Sequence, residues 1–188
     1  MNLETIISIC LGIGLAASVG FRVFLPLFAL SLSSYFNVLD LNDSWQWIGS
    51  LSALIILGVA TLVEIFAYFI PYIDNLLDSI AVPLAAFAGT VIMLSTVVNL
   101  SPEMTWALAI IAGGGTAAAI SGTSSAARLT STVTTGGIGN PLVSTVETGT
   151  AFIMSLISIV LPIFALILVV LILFIVFKFY KKFKRPKV

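Results

Sequence analysis

Long stretches of this chain contain no Asp, Glu, Lys or Arg, among them residues 5–21, 23–39, 44–63, 79–102, 104–127 and 148–177. About 20 consecutive apolar residues cross the hydrocarbon of a bilayer as a helix, so runs of this kind constrain the fold more than any motif does. Composition points the same way. Hydrophobic residues make up 60% of the chain and charged residues 9%, against roughly 25% charged in soluble domains. A soluble domain of this length leaves much of its surface wet and has no place for so much apolar area. The expectation is an all-α polytopic integral membrane bundle with about six spans, some of them short or broken.

Charge is unevenly spread along the chain. Lys178, Lys181, Lys182, Lys184, Arg185 and Lys187 hold six of the eight basic positions. The reading is therefore one transmembrane domain over residues 1–177 and a basic tail over 178–188. By the positive-inside rule that tail is expected in the cytoplasm, which makes the membrane the inner, cytoplasmic one. A basic cluster pressed against a span, with no folded module behind it, argues against nucleic acid as a partner. Membrane lipids are the expected partners. The start, Met1-Asn2-Leu3-Glu4, lacks the positive region of a secretory signal, and the first apolar run is read as retained. A single cysteine, Cys10, and the absence of histidine remove intrachain disulfides, zinc centres and histidine bases from consideration, and no cofactor is expected.

Breakers divide the runs. Gly20, Arg22 and Pro26 separate two short helices near the start, either as tilted crossings or as a hairpin. Trp45 and Trp47 suit an interfacial connector. Residues 74–79 read as a polar elbow between spans. Ser101-Pro102-Glu103 is a helix start, with a serine cap, proline in the first turn and an acid at the positive end of the dipole. The hydroxyl-rich stretch from Arg128 to Glu147 is read either as an exposed loop or as irregular backbone folded back into the membrane. Asn140-Pro141 opens another helix within it, and Pro162 is expected to kink or divide the long last run. Small residues at intervals of four, Gly12/Ala16/Gly20 and Gly113/Ala117/Ser121, allow helix backbones to approach closely.

Ionisable groups at hydrocarbon depth are costly and need protein, water or an ionic partner. Arg22, Glu64, Asp74, Asp78, Arg128 and Glu147 stand in or beside the apolar runs. Glu64, far into its helix, calls for a partner, with Arg22 and Arg128 the only basic residues outside the tail. Either these charges are packing pairs, since an arginine fork can satisfy a carboxylate completely, or they line a polar cavity together with Asn140.

Three segments carry a resemblance: Gly20-Phe21-Arg22-Val23-Phe24-Leu25-Pro26-Leu27; Val63-Glu64-Ile65-Phe66-Ala67-Tyr68-Phe69-Ile70-Pro71-Tyr72-Ile73-Asp74; and Arg128 followed by Gly136-Gly137-Ile138-Gly139-Asn140-Pro141-Leu142-Val143-Ser144-Thr145-Val146-Glu147. Together they resemble a family of small multi-pass membrane proteins, chiefly bacterial, catalogued as a domain of unknown function. The run before Arg128, Gly122 to Ala127, departs from that family in having no lysine. The resemblance implies architecture and draws attention to the same charged positions, but it implies no activity.

Catalytic signatures are missing from the sequence: there is no Gly-x-Ser-x-Gly elbow and no His-Glu-x-x-His pair. The chain is therefore not expected to be an enzyme. The leading expectation is a small homo-oligomeric transporter or flippase-like permease for a polar, anionic or lipid-linked solute. Its site is expected to involve Arg22, Glu64, Asp74, Asp78, Arg128, Asn140 and Glu147. A membrane scaffold or assembly factor is the alternative. An intramembrane enzyme, the third reading, requires two acids beside a wet cleft.

Overall fold

A computed structural model describes residues 2–183; Lys184, Arg185 and Lys187 of the basic tail lie outside them. The described residues form helices and no strand. In chain order the helices are α1 (Leu3–Val19), α2 (Phe24–Tyr35), a 3-10 segment (Asp43–Gly49), α3 (Leu51–Ala67), α4 (Pro71–Thr96) and α5 (Pro102–Leu108). A π segment (Ala109–Gly114) leads into α6 (Gly115–Thr135), which is followed by α7 (Asn140–Val160) and α8 (Pro162–Phe183).

Among the described residues three helices are long and apolar enough to cross a membrane: Ile73–Thr96, Pro102–Thr135 and Asn140–Val160. A fourth arises when α3 is joined to the 3-10 segment, from which it bends by 63° at Ser50. Helices α1 and α2 and the stretch Pro162–Lys178 are shorter apolar helices. The chain is a membrane protein, and about six spans agrees loosely with this set. Ile56, Phe66, Ile111 and Phe174 stand exposed on the outside of the bundle, as expected where lipid is the solvent.

Helices α1 and α2 form a hairpin of two short apolar helices. The connection runs over Gly20 to Val23, where Gly20, Arg22 and Val23 are buried. Pro26 does not break α2, because it lies in the first turn, where no intrahelical N–H bond is lost. The far end of the hairpin is tied to the end of α4. Asn99 Nδ2 donates to Glu4 Oε2 at 3.0 Å, Asn42 Nδ2 donates to the Val97 carbonyl at 3.2 Å, and the Asn42 N–H donates to the Ser95 carbonyl at 2.9 Å.

The small-residue faces meet on α4. A methyl group on Gly113 would lie 2.6 Å from the Gly89 carbonyl oxygen, and one on Gly89 would lie 2.7 Å from that of Gly113. The two backbones are therefore in direct contact, as small residues permit between membrane helices. Around this seam Leu11, Leu15, Val19, Ala85, Ala88, Ile92 and Ala117 form the largest apolar core.

Two expectations about local structure are corrected. Residues 74–79 are not an elbow: α4 begins at Pro71 and runs straight through them. Nor is the stretch after Arg128 a loop or irregular backbone. Helix α6 continues to Thr135, Gly136 closes it in the left-handed conformation at φ 65°, and α7 starts at Asn140. The hydroxyl groups that suggest a loop bond back to their own helix: Thr130 donates to the Ala126 carbonyl, Thr134 to Thr130, and Thr135 to Ser131. A helix so satisfied is compatible with hydrocarbon in spite of its polar composition. The expected start at Ser101 is present, with its hydroxyl accepting the Met104 N–H at 3.4 Å.

Candidate functional site

Four helix ends and the buried hairpin turn converge at one end of the bundle. Asp74 lies in the first turn of α4 and Glu64 in the last turn of α3. Arg128 is two turns from the end of α6 and Glu147 two turns into α7, roughly 10 Å inside their helix ends at 1.5 Å per residue. Charges at that depth require local compensation, and each finds it.

Arg128 is the hub. It is 2% exposed and forms ion pairs with Asp74 and Glu147, and its Nε donates to Glu147 Oε1 at 3.2 Å. Asp78, one helical turn beyond Asp74, approaches it less closely, with Oδ1 at 3.8 Å from Nε. Arg22 reaches the same Glu147 from the hairpin turn, Nη1 to Oε2 at 3.2 Å. The rest of its guanidinium is also occupied: Nε donates to Thr148 Oγ1 and Nη2 to the Ser144 carbonyl, both at 3.0 Å. Both guanidinium groups lie over the ring of Tyr68, at 4.0 Å for Arg22 and 4.2 Å for Arg128. A desolvated cation over an aromatic face gains of order 2 kcal/mol.

Glu64 is not the counter-ion of either arginine. Its Oε1 accepts the Val23 N–H at 2.7 Å and its Oε2 the Phe24 N–H at 3.0 Å. Helix α2 has no side-chain cap of its own, and a helix start buried without partners for its N–H groups would be unstable. A carboxylate from another helix supplies both acceptors and complements the positive end of the dipole. Glu64 thus holds the hairpin turn at depth, a role that spacing along one sequence does not reveal.

Asn140 joins the site from the start of α7. Its Nδ2 donates to Asp74 Oδ2 at 2.8 Å and to Thr132 Oγ1 at 3.0 Å, while its Oδ1 is buried without a hydrogen-bond partner. Ser124 adds a hydrogen bond from its hydroxyl to Glu147 Oε1. The seven residues singled out from sequence therefore lie in one neighbourhood, with Glu64 joined to it through the hairpin backbone. Tyr68, Ser124, Thr132, Ser144 and Thr148 belong to it as well. Of these Tyr68 carried a signal, lying four residues from Glu64 on the same helix face.

A cavity of about 10 Å3, lined by Arg22, Glu64, Tyr68, Asp78, Arg128 and Glu147 among others, lies within the cluster. That is space for about one water. Two larger clefts share walls with it. One, of about 530 Å3, lies between α3 and α4 and has Glu64 and Tyr68 in a lining that is otherwise apolar. The other, of about 420 Å3, lies between α6, α7 and α8 and has Ser124 and Glu147 in its wall. Their outer walls include Ile56, Val63, Leu142 and Val146, all exposed on the surface that faces lipid. Among the described residues no group of acids, cysteine or histidine has the arrangement of a metal centre.

A family model described as a domain of unknown function, DUF4126, matches residues 9–182. The chain belongs to the DUF4126 family. The resemblance read from the three segments is thereby borne out. No curated protein and no solved structure matches the chain. Every charged residue of the cluster falls inside the DUF4126 match, which describes no activity.

Proposed function

We propose that this DUF4126 protein is a small permease, flippase-like in kind, for a lipid-linked or otherwise amphipathic solute. One observation carries the reading: two apolar clefts, open to the lipid-facing surface, reach a single buried charged core from different sides. An apolar chain lying in a cleft would bring an attached polar group to the core without taking the chain out of hydrocarbon. A free anion fits this core less well. Glu64, Asp74, Asp78 and Glu147 set four carboxylates against the two guanidinium groups of Arg22 and Arg128.

The core in this arrangement is closed, since the space among its charges holds about one water. Passage of a polar group requires part of the Arg128 network to open, and the acids act as gate and counter-charge rather than as catalysts. The exposed Lys178 and Lys181 on the last turns of α8 support a cytoplasmic-membrane location with the α8 end inside. Helix α8 ends on the same side of the bundle as the charged core, so the core would lie toward the cytoplasm.

The test is reconstitution of the full chain in liposomes carrying a headgroup-labelled fluorescent lipid, with an impermeant quencher reporting on the outer leaflet. Translocation above protein-free liposomes is expected, and Ala60→Phe, which fills the α3–α4 cleft, should reduce it several-fold. No translocation over a panel of lipid headgroups and lipid-linked sugars would overturn the proposal. A scaffold is the second reading, favoured by the dense pairing of both arginines within the chain. It would be supported by a stoichiometric partner co-purifying with a protein that moves nothing.

A further inference from the structure

The four carboxylates of the core are not equivalent in what occupies their oxygens. Glu64 accepts a backbone N–H on each oxygen. Asp74 accepts from Arg128 on Oδ1 and from Asn140 on Oδ2. Glu147 accepts from Ser124 and Arg128 on Oε1, and from Arg128 and Arg22 on Oε2. Donors on both oxygens favour the ionised form of a carboxyl, because protonation turns one oxygen into a donor and weakens its capacity to accept. Each of these three carboxylates has a donor on both of its oxygens. Asp78 differs from them. Among the described residues its only charged neighbour within ion-pair range is Arg128, at 3.8 Å, too far for a hydrogen bond.

Charge counting adds a second constraint. Two guanidinium groups against three ionised carboxylates leave the core at a formal −1, and ionisation of Asp78 would make it −2. Facing Asp78 are Arg128 from α6, Asp74 from its own helix, Glu147 from α7, Arg22 from the hairpin turn, and Tyr68 and Glu64 from α3. Three of these six carry negative charge and two carry positive charge that is already engaged elsewhere. Excess negative charge at low dielectric is unfavourable, and a proton is the smallest group that removes it. Access is uneven too. The Asp78 side chain is 14% exposed, against 0% for Asp74 and 6% for Glu147. Asp78 also borders the water-sized cavity.

We propose that Asp78 is the proton-binding site of the core, taking up and releasing a proton through solvent at the α3–α4 end while Glu64, Asp74 and Glu147 stay ionised. The equilibrium is that of a single carboxyl, Asp78 carboxylate plus one solvent proton giving the acid, and it changes the core by one charge without breaking the Arg128 pairs to Asp74 and Glu147. As the coupling ion of transport it rests on the permease reading; as a binding site it stands alone.

Infrared difference spectra of the full chain in lipid, taken between acid and neutral pH, test it directly. Subtracting the Asp78→Asn spectra from wild type should leave the C=O band of one protonated carboxyl and its replacement by carboxylate bands at higher pH. The same subtraction with Glu64→Gln should leave no such acid band. Asp78→Asn keeps the side-chain shape and touches no short ion pair, so its folding is checked by circular dichroism and melting temperature. An acid band that survives Asp78→Asn unchanged, or one that is lost in Glu64→Gln, would overturn the proposal. In liposomes, Asp78→Asn should flatten the pH dependence of flux. Absence of wild-type flux would count against the permease reading and leave the infrared result for Asp78 intact.

Discussion

The two ends of the bundle are held together by different physics. Where α1, α4 and the π segment meet, contact comes from the absence of side chains: Gly89 and Gly113 bring backbone against backbone, and apolar packing closes around them. At the other end, side chains reach across the gap and ionic pairs connect the α1–α2 turn, α4, α6 and α7. A seam of small residues has one good arrangement and gains little by opening. An ionic cluster beside two clefts can exchange partners, so the end built from charges is the one suited to movement.

Removing a member of the ionic cluster should have the largest effect on stability. Arg128→Met leaves Asp74 and Glu147 buried with less compensation, and a loss of roughly 3–5 kcal/mol is expected, measured as denaturant or thermal unfolding in detergent. If that variant melts close to wild type, the two ends do not differ as described. Overpacking the seam comes next. Gly113→Val forces the two backbones apart and should cost roughly 1–3 kcal/mol; an unchanged melting temperature would mean that α4 and the π segment are not in contact. Loss of the carboxylate cap follows, with Glu64→Gln expected to cost about 1–2 kcal/mol and to increase hydrogen exchange at Val23 and Phe24 rather than in α3. The smallest effect is expected on α7. Ser155 is buried on α7 with no partner for its hydroxyl, so Ser155→Ala should be neutral or stabilising by up to about 1 kcal/mol.

The same contrast explains what the sequence reveals. Spacing along one helix is visible in a single chain, so Gly12, Ala16 and Gly20 announce a close contact without naming the helix they touch. Burial of charge is visible too, because six ionisable residues stand in or beside apolar runs that have no use for them. Partners are another matter. Arg22 and Glu147 are separated by more than a hundred residues, and nothing local links them. Glu64 is the sharpest case: electrostatic reasoning assigns it an arginine, whereas the groups in need are two backbone N–H donors of a helix that has no cap of its own. Composition also misleads between Arg128 and Thr135. Hydroxyl groups that would be solvated in a loop bond instead to carbonyls one turn back, so the stretch reads as a loop and folds as a helix.

Helix direction gives a further check on the architecture. Helix α1 starts at the end of the bundle where Asn99 meets Glu4, opposite the end at which α8 finishes. Sidedness reporters placed before α1 and after α8 should therefore report opposite sides of the membrane, as an odd number of crossings close to six requires.

The charged core stands or falls with the bond between Arg128 and Asp74 inside the bundle. A double-mutant cycle of Arg128→Gln and Asp74→Asn, read as unfolding free energy in lipid or detergent, measures this bond. The expected result is a coupling of roughly 1–3 kcal/mol, with the double variant more stable than the sum of the single losses predicts. Losses that add to within about 0.5 kcal/mol would show that the two side chains do not meet, and the charged core would have to be abandoned.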